Sequence, residues 1–533
     1  MFCLRNLLTA SQEALACSST HNSHLLLPSK SQGAELSFQA YAEQFYTLES
    51  TPVTDYAVLS SPTAASVSSN KSPFSPQLSH FYVSDVHHSS DNSSSLNGSF
   101  EADDENNWMQ SLWMLRNEFM EPECGSVTDE SVQPGYGTRY HRIVEMAPNM
   151  DLKQLLIACA EIVSEADIVP FSERKVAASA AETVMDIIQG RVSVSGDPLQ
   201  RLGAYILEAL RARLLLSGSL IFKKLKCNEP SGPELMSHMQ LLSQICPYYR
   251  FAYTSATAVI LEAMQNEKRI HIIDFQIAQG SQWLSFIQAV SRRPDGPPYV
   301  CITGVDDSES SHARGGGLEL VGQRLARLAE SCGVPFEFHG AATSVCDVQL
   351  ENLKVQHGEA LAVNFPYVLH HIPDESVSTS NHRDRLLRLV KSLSPKVMTL
   401  VEQESNTNTA AFSQRFRETL DYYAAMFESI DAAALARDDK QRINAEEHCV
   451  AKDVVSIIAC EGDERRERHE LFGKWKSRLT MAGFSSIPLN PSVATTVRDM
   501  LKEYSPNYAI AEANGALYIG WKNKALVSFS AWG

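Results

Sequence analysis

The stretch RIHIIDF, residues 269–275, decides the fold of this 533-residue chain. It is a short apolar run with one carboxylate, Asp274, near its end. Runs of this length and composition are typical of strands that are buried on both faces of a parallel sheet. We therefore predict a central strand here, followed by a helix over residues 283–292.

Downstream of this strand, predicted strands and amphipathic helices alternate. The strands cover residues 299–305, 336–340, 360–365 and 396–402, and the helices cover residues 318–331 and 383–392. Apolar strands that are separated by amphipathic helices predict a parallel sheet with helices on both faces. The predicted fold class is therefore α/β, with a doubly wound sheet.

The C-terminal part follows a different pattern. A helix is predicted over residues 493–504, and two short strands, residues 508–512 and 517–521, flank Asn514 and Gly515. Because Asn and Gly tolerate positive φ, this pair favours a hairpin turn. A parallel sheet that finishes in an antiparallel hairpin is the architecture of Rossmann-like methyltransferases, which is the fold that we predict.

Upstream of the sheet, the sequence predicts a block of helices. They cover residues 151–166, 173–189, 198–217 and 234–246, and Pro170 and Pro247 interrupt the pattern. In the third helix Leu199, Leu202 and Ile206 begin an apolar stripe. A block this apolar on one side needs a partner surface, so we expect an N-terminal helical cap on the sheet.

The first 150 residues differ in composition from the rest. Between residues 51 and 100, 15 of 50 residues are Ser, and no apolar period persists. Such a segment cannot bury enough surface to offset its ordering entropy, so we predict a disordered arm over residues 1–150. The arm carries −11 of the chain's net charge of −17. Within it, residues 108–119 have helical spacing, and they either bind a partner's groove or pack on their own domain.

Polar residues at the predicted strand ends are candidates for a ligand pocket, because doubly wound sheets bind ligands there. A D-x-G-x-G-x-G loop would need three glycines after Asp274, and only one is present, so we expect the chain's own side chains to narrow or fill this pocket. A carboxylate after the second strand could accept hydrogen bonds from a ribose, but Asp is also a common capping residue there. The candidate pocket residues are Asp274, Gln276, Gln279, Gly280, Asp306 and Asn364.

Several classes of site are not predicted. The sequence has no apolar run that could span a bilayer, and its eleven cysteines contain no C-x-x-C pair. His271 lies in a predicted strand, and His370 and His371 lie in a loop without metal-ligand spacing. We interpret them as satisfied or solvated histidines, and we predict no metal, no cofactor and no catalytic residue.

A series of motifs occurs in a defined order. After the leucine-rich block come I-H-I-I-D at 270–274, a second leucine-rich helix at 318–331, N-F-P-Y at 364–367, F-R-E-T-L-D-Y-Y at 416–423, R-E-R-H-E at 466–470 and S-A-W at 530–532. This order resembles the plant-specific GRAS family, with its leucine repeats and its VHIID, PFYRE and SAW motifs. The lead-in over residues 134–166 is similar to the scarecrow-like, phytochrome-A-signalling branch.

The resemblance implies a GRAS domain over residues 151–533. Its regions would be the leucine repeat I cap at 151–217, the VHIID region at 235–300, leucine repeat II at 318–350, the PFYRE region at 360–455 and the SAW region at 460–533. It also implies a regulator or coregulator of transcription in plants, located in the nucleus or also in the cytoplasm, and active in light or hormone signalling and development.

The resemblance further implies the kind of partner. Expected partners are DNA-binding transcription factors and other GRAS proteins, in homodimers or heterodimers, with direct DNA contact left open and no membrane. No enzyme activity is expected. The alternative from the fold is an S-adenosylmethionine-dependent methyltransferase, or a Rossmann-like domain that senses a small molecule.

Two leucine-rich stretches are candidate partner-binding surfaces, because apolar residues at helical spacing can enter a partner's groove. The same spacing is that of any core-facing helix, so burial is the alternative. The residues are Leu152, Leu155 and Leu156 in an L-x-x-L-L pattern, and Leu318, Val321, Leu325 and Leu328 in the second leucine-rich helix.

Overall fold

The predicted central strand lies inside a nine-stranded sheet as β1 (Arg269–Asp274). The structure is a computed structural model that describes residues 136–169, 171–215, 232–306 and 317–533. The predicted arm up to residue 135, including the segment 108–119, lies outside the described residues, as does residue 307 after the second strand. The predicted disorder is wrong for residues 136–149, which are helical and bury Tyr140 and Ile143. Within the described ranges, no helix is both long and apolar enough to cross a membrane.

The sheet combines a parallel part with an antiparallel part. Its strands are β1, β2 (Tyr299–Asp306), β3 (Phe336–Ala342), β4 (Ala360–Pro366), β5 (Val397–Gln403), β6 (Ser486–Ile487), β7 (Tyr508–Ala513), β8 (Ala516–Trp521) and β9 (Lys524–Trp532). The order is β3-β2-β1-β4-β5-β9-β8-β7, and β6 pairs with β9. Strands β1 to β5 pair in parallel, and β9 is antiparallel to β5. The predicted Rossmann-like, methyltransferase-type fold class is confirmed.

Six described α-helices precede the sheet. They are α1 (Tyr136–Met146), α2 (Leu152–Ala166), α3 (Phe171–Gln189), α4 (Pro198–Leu214), α5 (Gly232–Ile245) and α6 (Tyr248–Ala263). We call α1 to α4 the helical cap. Asp151 and Asp197 precede α2 and α4 as N-caps, and their carboxylates accept the N–H groups of Gln154 at 2.7 Å and Gln200 at 2.9 Å.

The remaining helices lie between or after the strands. They are α7 (Ser281–Ser291), α8 (Gly317–Ser331), α9 (Leu350–Leu353), α10 (His382–Ser392), α11 (Phe412–Asp431), α12 (Lys440–Glu446), α13 (Lys452–Ala459), α14 (Phe472–Met481) and α15 (Pro491–Leu501). Helix α6 packs on β4, β5 and β9, whereas α10 and α14 contribute to a core that includes Trp475 and Trp532. Both faces of the sheet are therefore covered, as the alternating pattern predicts.

The cap packs on helices from later in the chain. Helix α4 packs on α11 and α13, and α2 packs on α11. Two buried arginines of α4 reinforce this packing, because Arg201 lies 3.2 Å from Glu446 and Arg213 lies 2.9 Å from Glu461. Elements from residues 412–461 therefore share one helical layer with the cap, a long-range arrangement that local periodicity does not reveal.

Candidate ligand site at the carboxyl ends of the strands

The predicted pocket residues gather at one edge of the sheet. Strand β1 lies between β2 and β4, and in the register Asp274 pairs with both Gly304 and Asn364. Asp306 ends β2 two residues farther on, and Gly280 is the N-cap of α7. The strand order reverses at β1, so this is the edge at which doubly wound sheets bind ligands.

The carboxylate of Asp274 is bound by the chain itself. Its Oδ2 accepts a 2.7 Å hydrogen bond from the Trp283 indole, and its Oδ1 accepts the backbone N–H of Gln276 at 3.0 Å. Burial, reinforced by the charge of Asp306, raises the pKa of Asp274 to about 6, although these hydrogen bonds oppose the shift. The Asp274 carboxylate therefore links the loop after β1 to α7, through Gln276 and Trp283.

The loop after β1 packs against its surroundings. The Ile277 side chain lies so close to β2 that a Cβ at Gly304 would stand 2.8 Å from Ile277 Cγ2. Gly280 has φ +70°, and a Cβ there would stand 3.0 Å from Val321 of α8. The carbonyl of Gln279 accepts a 3.3 Å hydrogen bond from Arg324. Ile277, Val321 and Arg324 thus pack closely around this loop.

Asn364 is held from both sides. Its amide Nδ2 donates to Gln282 Oε1 at 3.1 Å, and its Oδ1 accepts from Thr399 at 2.8 Å. The buried Nε2 of Gln282 has no hydrogen-bond partner among the described residues. Asp306 is also buried, and its carbonyl accepts the N–H of Thr343 at 3.1 Å. Asn364 therefore links Gln282 to Thr399, and Gln282 keeps one donor unsatisfied among the described residues.

The leucine-rich stretches face inward, which corrects one expectation. Leu155 and Leu156 of α2 are fully buried, and so is Leu325 of α8. Val321 and Leu318 are also buried, and only Leu152 and Leu328 are half-buried. In the folded domain these five buried side chains belong to the core, so they do not form a partner-binding surface. Partner binding stays a prediction only for Leu152 and Leu328.

The histidines give mixed outcomes. His271 is a satisfied core histidine as predicted, with ring nitrogens 2.8 Å from Glu359 and 2.8 Å from Thr303. His370, in contrast, is not an ordinary loop residue, because it is buried in a short 3₁₀ turn (Leu369–His371) and lies 2.6 Å from Glu402. It also approaches Glu467, almost a hundred positions along the chain. No local spacing links these residues, so only the fold reveals the cluster.

Comparison with known proteins agrees with the motif order. Residues 152–533 match the model of the GRAS domain family. Scarecrow-like protein 13 of Arabidopsis thaliana is 52% identical over 495 residues, which cover 92% of each chain. Scarecrow-like transcription factor PAT1 of the same plant is 57% identical over 390 residues, or 73% of this chain and 77% of that one. The crystal structure of SCL7 of Oryza sativa superposes with a TM-score of 0.62 at 30% identity, covering 72% of this chain and 100% of that one.

Proposed function

Because this chain belongs to the GRAS domain family, we propose that it is a plant regulator of transcription that acts in the nucleus through contacts with other proteins. GRAS proteins are plant regulators of transcription as a family. The partners of this chain and the signal it serves are inferred in addition. We infer that the partners are DNA-binding transcription factors and other GRAS proteins. We further infer light or hormone signalling from the resemblance of residues 134–166 to the phytochrome-A-signalling branch.

The packing of the loop after β1 carries the proposal that the chain is a regulator and not an enzyme. Ile277 fills the space beside Gly304, and Trp283 binds the carboxylate of Asp274. A nucleoside cofactor that used this loop would compete with the packing of Ile277 and with the buried 2.7 Å hydrogen bond from Trp283 to Asp274. Such losses cost several kcal/mol, which weak cofactor contacts would not offset.

A second candidate function is kept because of two observations at the same edge. Asp306 ends β2 where a ribose could be bound, and Gln282 carries a buried amide donor without a hydrogen-bond partner among the described residues. These features favour a small-molecule-sensing or methyltransferase role. Incubation of the full chain with S-adenosylmethionine and plant extract, followed by a search for S-adenosylhomocysteine, tests it. The regulator proposal predicts no product above that of heat-denatured protein.

The exposed face of the cap supports binding of protein partners. Val176 of α3 is 48% exposed, whereas Leu155 and Leu156 of α2 are buried. Deleting residues 151–217 would be a poor test, because it would strip the buried Glu446 of its contact with Arg201. Val176→Lys is a sharper variant, and Met481→Lys, at another exposed apolar position on α14, is the matched control.

The test combines partner capture with promoter occupancy. We expect full-length protein to retain transcription factors in a pull-down, and Val176→Lys to retain fewer of them than Met481→Lys. Chromatin immunoprecipitation together with DNA binding in vitro then separates tethered from direct occupancy. Failure to retain any transcription factor, with occupancy absent as well, would overturn the proposal.

A further inference from the structure

Three buried side chains from two distant segments meet beside the C-terminal end of β4. His370 comes from the turn after β4, and Glu467 and His469 come from the segment that leads into α14. His370 Nε2 lies 3.3 Å from Glu467 Oε2, and His469 Nε2 lies 3.5 Å from the same oxygen. The three donor atoms all lie within 4.8 Å of one another.

These separations suit a shared cation better than direct hydrogen bonds. Charge-assisted N–H···O bonds are usually about 2.7–2.9 Å long. A tetrahedron with metal–ligand bonds of about 2.0–2.2 Å holds its ligand atoms roughly 3.3–3.6 Å apart. The two measured distances, 3.3 Å and 3.5 Å, fall in the second range.

Three polar atoms of this cluster are left unsatisfied among the described residues. Neither ring nitrogen of the fully buried His469 has a hydrogen-bond partner among the described residues, nor does Glu467 Oε2. Buried polar atoms are nearly always paired, so each such atom needs an explanation. A single cation between His370, Glu467 and His469 would satisfy His469 Nε2 and Glu467 Oε2 together.

A neighbouring carboxylate orients His370 for this role. Glu402 Oε2 lies 2.6 Å from His370 Nδ1, while Glu402 Oε1 accepts the backbone N–H groups of Leu369 at 2.8 Å and Val368 at 3.2 Å. Metal-binding histidines commonly donate their other ring N–H to a carboxylate in this way. Glu402 thus directs the Nε2 of His370 toward Glu467.

We propose that His370, Glu467 and His469 bind one Zn²⁺ ion, with Glu402 as a positioning residue. Two histidines and one carboxylate form a donor set that zinc uses, and three protein ligands leave the fourth position for water. The ion joins the turn after β4 to the segment before α14. Its role in this position is to fasten the C-terminal part of the chain to the parallel sheet.

The test measures zinc in the full-length protein after chelator treatment. Zinc sulfate is added back, the excess is removed by dialysis, and bound metal is counted by mass spectrometry. We expect one zinc ion per chain in the wild type and almost none in His469→Gln or Glu467→Gln. His271→Gln removes another buried, carboxylate-bound histidine and should retain one zinc ion, which makes it the matched control.

The positioning role of Glu402 has its own readout. Glu402→Gln should still bind one ion at saturation, but with an affinity that is about 10–100-fold weaker, as expected for loss of a carboxylate that orients a ligand. Substitution with Co²⁺ should give the strong visible absorption of a tetrahedral site in the wild type. Circular dichroism checks that each variant is folded.

The proposal is overturned if the wild type takes up little zinc, or if His469→Gln and Glu467→Gln bind as much as the wild type. If both variants fail to fold, the effect of zinc on the thermal stability of the wild type tests the proposal instead. Its thermal midpoint should then rise with zinc, and an unchanged midpoint would overturn the proposal.

Discussion

Two buried polar clusters lie at different places around the sheet, and they differ in how completely their atoms are paired. Around Asp274, both carboxylate oxygens accept hydrogen bonds from the chain itself. Around Glu467, the ring of His469 has no hydrogen-bond partner among the described residues. At the strand-end edge the buried Gln282 Nε2 lacks a hydrogen-bond partner among the described residues, whereas the cluster before α14 leaves three atoms without one, both ring nitrogens of His469 and Glu467 Oε2.

The largest effect is expected from Trp283→Ala, which breaks the closure around Asp274. It removes a fully buried indole and leaves the Asp274 carboxylate without its 2.7 Å donor. We expect a loss of about 3–5 kcal/mol in the free energy of unfolding, measured by denaturant titration. Trp283→Phe keeps most of the volume and should cost about 1–3 kcal/mol. Equal costs for the two variants would mean that the hydrogen bond contributes most of the stabilisation.

The next effect is a pH dependence from Asp274. Its pKa is raised to about 6 from an ordinary 3.8, so between these values the folded state binds more protons than the unfolded state. The stabilisation from this group is therefore complete below about pH 4 and is lost as pH rises through about 6, a change of about 3 kcal/mol. Denaturant titration gives the free energy of unfolding of the wild type and of Asp274→Asn at pH 4 and at pH 7. The difference between the two proteins should change between these pH values. A constant difference would mean that Asp274 titrates normally.

Zinc should stabilise the second cluster and leave the first unaffected. At a free zinc concentration one hundred times the dissociation constant, binding to the folded state alone adds about 2.7 kcal/mol to the free energy of unfolding. We expect this gain in the wild type and in His271→Gln, but not in His469→Gln. A similar gain in all three proteins would place the metal elsewhere.

The smallest effect on stability is expected from the contact between Ile277, in the loop after β1, and Gly304 of β2. Gly304→Ala should cost about 1–3 kcal/mol, because the new Cβ would stand 2.8 Å from Ile277 Cγ2. In the Ile277→Ala background the same change should cost much less, since the clashing methyl groups are gone. Additive costs in the double variant would mean that Ile277 does not fill this space.

Local patterns predicted the elements that depend on neighbours in sequence. The run RIHII marks β1, and Asn514 and Gly515 adopt φ values of 56° and 90° in the turn between β7 and β8, as their residue types favour. The missing glycines after Asp274 also indicated a filled loop. These features follow from backbone freedom and apolar periodicity, which are local properties.

Features that depend on distant residues were not predictable in the same way. Apolar spacing on α2 and α8 did not distinguish a core face from a partner surface, and the fold placed Leu155, Leu156 and Leu325 inside. The cluster of His370 with Glu467 and His469 joins positions almost a hundred residues apart. Only the packing of α14 against the sheet brings these segments together, and no spacing in the sequence encodes it.

The most direct test titrates one preparation of the full-length, chelator-treated protein with two ligands in a calorimeter. We expect no heat of binding from S-adenosylmethionine at millimolar concentration, because Ile277 and Trp283 hold the loop at the strand-end edge in place. We expect a saturable heat from Zn²⁺ with one site per chain. Stoichiometric binding of S-adenosylmethionine would show that the strand-end edge accepts this cofactor, and would contradict the proposal that the chain is a regulator and not an enzyme.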